Sequence, residues 1–368
     1  MPQPLDLTQL KVFPLAERRS LTRVEDILVE PDSRPPEASA AVRTAARECA
    51  RSVAAARGRQ AGAMLIYGAH LLRNGAAQIL ERLMAQGWLT HLATNGAGTI
   101  HDWEFAWLGR SSESVRDNVA TGTFGTWEET GRNIHLALLA GGPRDEGYGQ
   151  ALGRFIWQDG AELPDAESLR RDIQRAPSDP HTPARADLLV AIERHGLAAG
   201  RHTVDHRWKH ASILAQAFRH QVPLSVHPGI GYDIISNHPM FNGAVIGRAA
   251  EVDFRRFGGA VESLDGGVVL SIGSAIMGPQ VFEKSLSCVN NLRLQHGRAI
   301  VTGHQLFVVD LQDGGGWDWT QGEPPKTNPA YYLRFCKSFA RMGGALHYVQ
   351  ADNLAFVHHL YHELQTVG

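Results

Sequence analysis

The chain has 368 residues, of which 43% are hydrophobic and 20% charged, a composition typical of a globular protein with a sizeable core. Lysine and arginine number 36 against 38 acidic residues, so the net charge of -2 excludes the basic footprint of a nucleic-acid-binding protein. The three cysteines are far apart, which excludes a disulfide framework and predicts a reducing, cytoplasmic location. Neither a membrane-spanning apolar run nor a signal peptide is recognisable, so we expect a soluble protein without a membrane partner.

Residues 1–60 are predicted to form an accessory arm, which contains several prolines and an alanine- and arginine-rich helix over residues 40–57. A single α/β domain is expected over residues 61–368, interrupted by an irregular insertion at about 110–205. Within that insertion, helices are predicted near residues 146–157 and 184–195.

Outside the insertion, short apolar runs alternate with longer amphipathic segments. The predicted strands cover residues 63–67, 89–93, 222–226, 267–272, 298–302 and 345–350. The predicted helices cover residues 70–86, 243–264, 279–294, 329–342 and 354–364. Alternation over this length predicts an α/β fold with a doubly wound, mostly parallel sheet, preceded by the helical arm.

The segments that follow the predicted strands are rich in glycine and in small polar residues. Ligands of open α/β sheets bind beyond the carboxyl ends of the strands, so these segments predict one edge that surrounds a nucleotide-sized ligand. Turn formation is the better explanation for each segment taken alone, whereas all six together favour a ligand-binding edge. The segments are Gly68–Gly75, Thr94–Asp102, His227–Asp233, Gly273–Ser274, Thr302–His304 and Ala351–Asn353. They contain no G-x-G-x-x-G fingerprint of a standard dinucleotide fold.

Three stretches of the chain share motifs with one enzyme family. The first is Tyr67-Gly-Ala-His-Leu-Leu-Arg-Asn-Gly75, continuing to Leu92-Ala-Thr-Asn-Gly-Ala-Gly98. The second is Gly266-Gly-Val-Val-Leu-Ser-Ile-Gly273, and the third is His347-Tyr-Val-Gln-Ala-Asp-Asn353. In this order they resemble the start of the core, the later glycine-rich strand and the closing strand of the deoxyhypusine synthase family. The resemblance covers roughly residues 60–110 and 220–365.

This resemblance implies a Rossmann-like core that binds NAD, usually in a tetramer with active sites at a dimer interface. It places Asp233 near the NAD and substrate sites. The residues expected to bind the cofactor are Asn74, Gly75, Thr94, Asn95, Gly96, Gly98, Asp102, Gly273, Ser274, Thr302, Gly303, Asp352 and Asn353.

The chain departs from the family where its catalytic lysine would stand. The family has a Ser-Trp-Gly-Lys segment, whereas this chain has Tyr331-Tyr-Leu-Arg-Phe-Cys-Lys337, with Lys337 about two residues out of register. The family's Lys-His-His segment is replaced by Ile276-Met-Gly-Pro-Gln280. An imine-forming lysine is needed to transfer an aminobutyl group, so deoxyhypusine synthesis itself is not expected.

Histidines offer a second line of inference, because an imidazole exchanges protons near neutral pH. His101 and His304 are predicted acid–base residues, since each lies beside an expected cofactor loop. His206 and His210 have the i,i+4 spacing of metal ligands, but no matched carboxylate accompanies them and no metal site is predicted.

The sequence thus predicts an NAD-dependent oxidoreductase or transferase that oxidises a C–H bond next to an amine or hydroxyl, by either transient or net redox. Its substrate would be a small cationic amine or polyhydroxy compound that Asp233 anchors. A first alternative is aminobutyl transfer as in homospermidine or deoxyhypusine synthase, with Lys337 or Lys326 as imine former. A second alternative is a non-catalytic nucleotide-binding protein.

Overall fold

The structure is a computed structural model that describes residues 3–367, and the chain divides into two compact units. The first unit consists of the residues up to Asp26, Thr99–Arg219 and Pro228–Asp253. The second unit consists of Ile27–Gly98, His220–His227 and the residues from Phe254 onward. These limits do not coincide with the expected arm and insertion, and the division into an arm and a single domain stays a prediction.

The second unit is built on a six-stranded sheet in which all neighbouring strands are parallel. Its strands are β1 (Ala63–Tyr67), β2 (His91–Asn95), β3 (Leu224–His227), β4 (Val268–Ile272), β5 (Gln305–Asp310) and β6 (Ala345–Gln350). They lie in the order β6-β5-β4-β1-β2-β3. This is the strand order of the doubly wound Rossmann fold, so the predicted fold class is confirmed.

Helices cover both faces of this sheet, and successive strand residues point to opposite faces. On one face, Leu65 of β1 and Leu270 of β4 line an apolar cavity together with Leu80 and Leu360. On the other face, Met64 belongs to a buried cluster with Val269 and Phe282 among its members. The helices of this unit are Ala40–Gly58, Ala69–Arg73, Ala77–Ala85, Met277–Gln295, Arg334–Ala340 and Asn353–Val367, with 3-10 turns at Trp319–Gln321 and Pro329–Tyr332.

One predicted strand was wrong. Residues 298–302 form a loop, and the fifth strand begins only at Gln305. The backbone N–H groups of Val301 and Thr302 donate to the side chains of Asn290 and Asp265, at 2.9 Å each, instead of joining the sheet. The apolar run Ala299–Val301 therefore predicted a strand at a place where side chains, and not a neighbouring strand, accept the backbone hydrogen bonds.

Two further predictions needed revision. The helix expected over residues 70–86 is interrupted at Gly75, whose φ of +90° lies in the left-handed region. The segment Thr94–Asp102, for which turn formation was one explanation, is mostly helical, because a helix that runs to Leu108 begins directly at Gly96.

The first unit is mainly helical, although an irregular insertion was expected over much of it. Its antiparallel strand pairs are Thr22–Arg23 with Arg110–Ser111 and Gly160–Leu163 with Gly200–Thr203. Its helices are Val115–Thr121, Glu128–Gly141, Tyr148–Trp157, Ala166–Arg175, Thr182–His195 and Ile213–Arg219, with 3-10 turns at Leu7–Gln9, Leu15–Glu17, Gly142–Arg144, Lys209–Ala211 and Ile234–Ser236. Helices Val24–Ile27, Gly96–Leu108 and Gly243–Glu262 continue across a boundary between the units.

Candidate functional site

The centre of the candidate site is the point where β1 and β4 end side by side. Gly68 N–H donates to the carbonyl of Ile272 over 3.1 Å, which extends the ladder by one residue beyond the strands. A Cβ on Gly68 would stand 2.0 Å from the carbonyl oxygen of Gly273. The helices that follow these two strands cover opposite faces of the sheet. This is a topological switch point, where open α/β sheets bind their ligands.

Two expected cofactor residues, Thr94 and Asn95, are the last residues of β2, and the fold uses the side chains of both. Thr94 is fully buried and donates its hydroxyl to the carbonyl of Tyr67 at 3.0 Å. Asn95 Oδ1 accepts from Gly98 N–H at 2.9 Å and so caps the helix that begins at Gly96. A Cβ on Gly98 would lie 2.2 Å from Thr94 Oγ1, so glycine permits close packing of the helix on the strand.

Ser274 and Asp352 have the same capping role after β4 and β6. Ser274 Oγ accepts from Gly278 N–H at 3.1 Å, and Asp352 Oδ1 accepts from Ala355 N–H at 2.9 Å. Three helices therefore begin at the carboxyl edge of one sheet, and each has a polar side chain that satisfies one N–H group of its first turn. Polar residues lie at the carboxyl edge, as expected, but helix capping explains several of them without a ligand.

Asn353 differs from these capping residues. It is only 5% exposed, and its Oδ1 has no hydrogen-bond partner. Its Nδ2 would stand 2.5 Å from a Cβ on Gly273, so the amide lies against the loop that follows β4. A buried acceptor without a donor is costly unless something supplies the donor.

Thr302, Gly303 and His304 lie at the opposite edge of the sheet, because they precede β5. Gln305 N–H donates to the carbonyl of Gly267, just before β4, which fixes this end as the amino edge. His304 is buried beside Phe282, with ring centroids 6.0 Å apart, and burial lowers its pKa. These residues therefore do not join the others at the carboxyl edge.

Asn74 and Gly75 follow the short helix Ala69–Arg73 instead of the strand itself. A Cβ on Gly75 would lie 1.8 Å from the carbonyl oxygen of Ile27, and Val29 N–H donates to the Gly75 carbonyl at 3.2 Å. The glycine is thus explained by its contact with the chain at Ile27.

Lys337 lies in the helix Arg334–Ala340, between β5 and β6. Its Nζ stands over the ring of Tyr331, 3.7 Å from the ring centroid, in a cation–π contact. The lysine has a structural partner, and no residue of the deoxyhypusine synthase lysine segment accompanies it.

His227, the first residue of the segment His227–Asp233, lies at the carboxyl edge of the sheet. It ends β3, pairs in register with Asn95 of β2, and contacts the ring of Phe257 edge-on. Its Nε2 is buried without a partner, and burial lowers its pKa to about 4.

Asp102 and Asp233 belong to the first unit. Asp102 is fully buried, accepts from Ile213 N–H at 2.7 Å and from the Ser212 hydroxyl, and has its pKa raised to about 7 by burial. Asp233 is 5% exposed and accepts from Gly229 N–H at 2.7 Å, and burial raises its pKa to about 6. The Asp102 carboxyl group thus caps the helix Ile213–Arg219 within its own unit. The raised pKa of Asp233 is of the kind that functional carboxyl groups often have.

His101 also belongs to the first unit, and its Nδ1 is 2.7 Å from Ser111 Oγ. Ser111 in turn contacts Glu104, which is paired with Arg18. The sequence analysis did not identify these three residues. The i,i+3 spacing of His101 and Glu104 on one helix is the signal that could have suggested part of this arrangement.

Among residues 3–367, no group of three metal-ligating side chains is arranged to hold a metal ion. His206 is buried, with its Nδ1 3.5 Å from Asp159 Oδ1. In the same range, no helix is both long enough and apolar enough to cross a membrane.

No family model and no curated protein matches the sequence. Among solved structures, unliganded AgrE aligns with 90% of this chain and 34% of its own, at 13% identity and a TM-score of 0.44. The chain thus spans about a third of AgrE, which has also been solved in a ternary complex with ornithine and NAD+.

Two further solved structures align at similar or lower scores. A conserved putative LOR/SDH protein from Methanococcus maripaludis S2 aligns with 97% of this chain and 76% of its own, at 13% identity and a TM-score of 0.41. A putative deoxyhypusine synthase from Entamoeba histolytica aligns with 77% of each chain, at 11% identity and a TM-score of 0.28. Likenesses of this strength do not separate one α/β family from another, so the fold is assigned from its strand order. The deoxyhypusine synthase resemblance stays a prediction.

Proposed function

We propose that the protein is an enzyme that binds NAD at the carboxyl edge of its parallel sheet and oxidises a C–H bond next to an amine or hydroxyl of a small substrate. The observation that carries this proposal is the strand order β6-β5-β4-β1-β2-β3, which puts a topological switch point between β1 and β4. Sheets of this order bind dinucleotides at that point. Gly68 and Gly273 meet there, and neither adds a side chain at the point where the two strands end.

The residues around the switch point fit a dinucleotide in two respects. Helices begin at Gly96 and Asn353, directly after β2 and just after β6, and helix N-termini favour the negative charge of a pyrophosphate. The unpartnered Oδ1 of Asn353 would accept a hydrogen bond from a ribose hydroxyl, which supplies the donor that the fold itself lacks. The exposed residue Asp352, whose Oδ1 caps the helix that begins at Asn353, is also one of the proposed cofactor-binding residues.

NAD, when bound, supplies a hydride acceptor for the substrate carbon. The protein must supply a base, because oxidation of an alcohol or amine also releases the proton of its O–H or N–H bond. We retain His101 as the proposed base and Asp233 as the proposed anchor for a cationic or polyhydroxy substrate. Neither His304, at the amino edge, nor Lys337, in contact with Tyr331, is favoured for a chemical role.

The two alternative functions require different residues. Aminobutyl transfer requires a lysine that forms an imine, and no observation favours Lys337 or Lys326 for that role. A non-catalytic nucleotide-binding protein requires the dinucleotide site without a base. The proposed tetramer and the identity of the substrate are likewise predictions.

Native mass spectrometry of the purified protein, followed by calorimetric titration with NAD, tests the proposal. We expect either a co-purified dinucleotide or a binding isotherm with one site per chain. The subunit number appears in the same spectrum. Absence of both bound dinucleotide and titratable binding would refute the proposal.

A further inference from the structure

The acidic residues at the carboxyl edge of the parallel sheet lie on one side of the switch point. Asp310 ends β5 and Asp352 follows β6, and these two strands lie beyond β4. The opposite side, formed by β1, β2 and β3, is called here the β1–β3 side. Residues 67–75, 95–98 and 227, with which these three strands end or continue in the second unit, include no aspartate or glutamate. These positions therefore offer no carboxylate that would repel a phosphate group.

Asn95, the last residue of β2, has a side-chain amide whose orientation is fixed by the helix that follows. Gly98 N–H donates to Asn95 Oδ1 over 2.9 Å, and a donor of this kind is accepted by the oxygen of an amide and not by its nitrogen. The oxygen is thus engaged in the cap. Because the side chain is partly exposed, Nδ2 with its two hydrogens is the group that remains for a ligand.

The end of the second strand is where dinucleotide-binding folds of this strand order distinguish NAD from NADP, which carries a phosphate on the 2′-oxygen of its adenosine ribose. In NAD-selective folds an acidic residue accepts from the ribose 2′-hydroxyl, and its charge disfavours a 2′-phosphate. Asn95 has this position here, and its register neighbour on β3 is His227, which adds no negative charge. An amide N–H can donate to a hydroxyl or to a phosphate, and the bond to the charged phosphate is the stronger one.

Arg73 provides a second, independent indication of an anion on the β1–β3 side. It ends the helix Ala69–Arg73, which follows β1, and its Nε is buried without a hydrogen-bond partner among residues 3–367. A buried N–H donor without an acceptor is costly unless a ligand supplies the acceptor. Phosphate is an acceptor that suits a guanidinium group particularly well.

We propose that the dinucleotide site accepts NADP as well as NAD and that Asn95 is the specificity-determining residue; this rests on the proposed function. Asn95 presents N–H donors where an NAD-selective site has a carboxylate, so the 2′-phosphate meets a partner instead of a like charge. Arg73 adds positive charge on the same side of the sheet, which favours the additional phosphate. NADP should therefore bind about as tightly as NAD, or more tightly.

Calorimetric titration of the full chain with NAD and with NADP tests this inference. For the wild type we expect NADP to bind no more than about tenfold more weakly than NAD. Asn95→Asp keeps an oxygen that can accept from Gly98 N–H, so the helix cap is preserved, and it puts a carboxylate at the end of β2. This variant should shift the ratio of the two affinities toward NAD by about tenfold or more. A wild type that prefers NAD by more than about tenfold overturns the inference, as does an unchanged ratio in Asn95→Asp.

Asn291→Asp is the matched control, because it makes the same chemical change at another asparagine whose Oδ1 accepts a hydrogen bond, here from Gln295 at 2.6 Å. Asn291 is exposed near the end of the helix Met277–Gln295, and its neighbour Asn290 binds the loop that precedes β5, at the amino edge. The affinity ratio should equal that of the wild type. An equal shift in both variants would reduce the effect to net charge and overturn the role of Asn95.

The same titrations separate this inference from the proposed function. If neither dinucleotide binds the wild type, the proposed function fails. If NAD binds and NADP does not, the proposed function stands and the inference about Asn95 is wrong.

Discussion

Gly68 and Gly273 meet where β1 and β4 end, and a Cβ on Gly68 would stand 2.0 Å from the carbonyl oxygen of Gly273. The backbone of Gly68 has an ordinary φ of -93°, so the requirement for glycine is purely one of space. A backbone carbonyl cannot rotate away as a side chain can. We therefore expect Gly68→Ala to lower the free energy of unfolding by about 3 kcal/mol, measured by urea denaturation.

Gly58→Ala is the control for this prediction, because Gly58 ends the helix Ala40–Gly58 and a Cβ there would meet no atom within 4 Å. Alanine should leave stability unchanged or raise it by up to about 1 kcal/mol, since glycine is the poorer helix former. If Gly68→Ala and the wild type are equally stable, the loops at Gly68 and Gly273 can move apart without cost and the prediction is wrong.

Substitution of Asn353 by leucine should change stability and dinucleotide binding in opposite directions. Leucine has a similar volume and removes a buried oxygen that has no donor, so the free protein should gain about 1 kcal/mol. The same change removes the proposed acceptor for a ribose hydroxyl and should weaken NAD binding about tenfold, a loss of roughly 1.4 kcal/mol. Thermal unfolding and calorimetric titration measure the two effects.

Thr302→Ala is the comparison for binding, because Thr302 lies at the amino edge of the sheet and was expected from sequence to bind the cofactor. NAD affinity should be unaltered in this variant. If Thr302→Ala binds NAD more weakly and Asn353→Leu binds it normally, the dinucleotide lies at the amino edge of the sheet and our proposal is wrong.

Asp102→Asn should make the protein more stable at pH 8. Burial raises the pKa of Asp102 to about 7 from 3.8, so the folded state holds a proton that the unfolded state has lost between these pH values. The wild type therefore loses stability as pH rises from about 4 to about 7, and the loss is constant above that range. Asparagine does not titrate, so the variant avoids this loss of unfolding free energy, which is on the order of 3 kcal/mol. Denaturation of the wild type and of Asp102→Asn across pH 4–8 measures the difference.

Asp165→Asn provides a comparison of opposite sign. Asp165 is an exposed cap whose pKa is lowered by its hydrogen bonds to Ser168, so its contribution is present above the unfolded pKa and is lost as pH falls. The difference between this variant and the wild type should therefore disappear in acid. A pH-independent effect of Asp102→Asn would mean that its carboxyl group is ionised throughout.

Lys337→Met tests the aminobutyl-transfer alternative. Methionine keeps much of the apolar stem and loses the cation–π contact with Tyr331, at a cost of about 1 kcal/mol. We expect borohydride treatment of the wild type, incubated with NAD and an aliphatic diamine, to leave no mass adduct on Lys337. An adduct that is absent from Lys337→Met but present in Lys326→Met would favour the transferase instead.

Much of the sheet could be predicted from sequence because its strands are buried on both faces. Runs such as Ala63–Tyr67 and Val268–Ile272 are continuously apolar, and strands covered by helices on both sides need that composition. The same criterion failed at residues 298–302, where Ile300 is 44% exposed and neighbouring side chains satisfy the backbone. Local apolarity cannot reveal such long-range bonds.

The sequence by itself determined that small and polar residues follow the strands and that the fold alternates strand and helix. Tertiary structure alone decided which of these residues meet. It put Thr302 at the far edge, and it assigned Asn95 and Ser274 to helix capping while it left Asn353 without a donor. It also brought Arg18 and Ser111 to Glu104, residues separated by up to 93 positions. Strand order and hydrogen-bond partners depend on contacts between distant segments, and local composition carries no record of them.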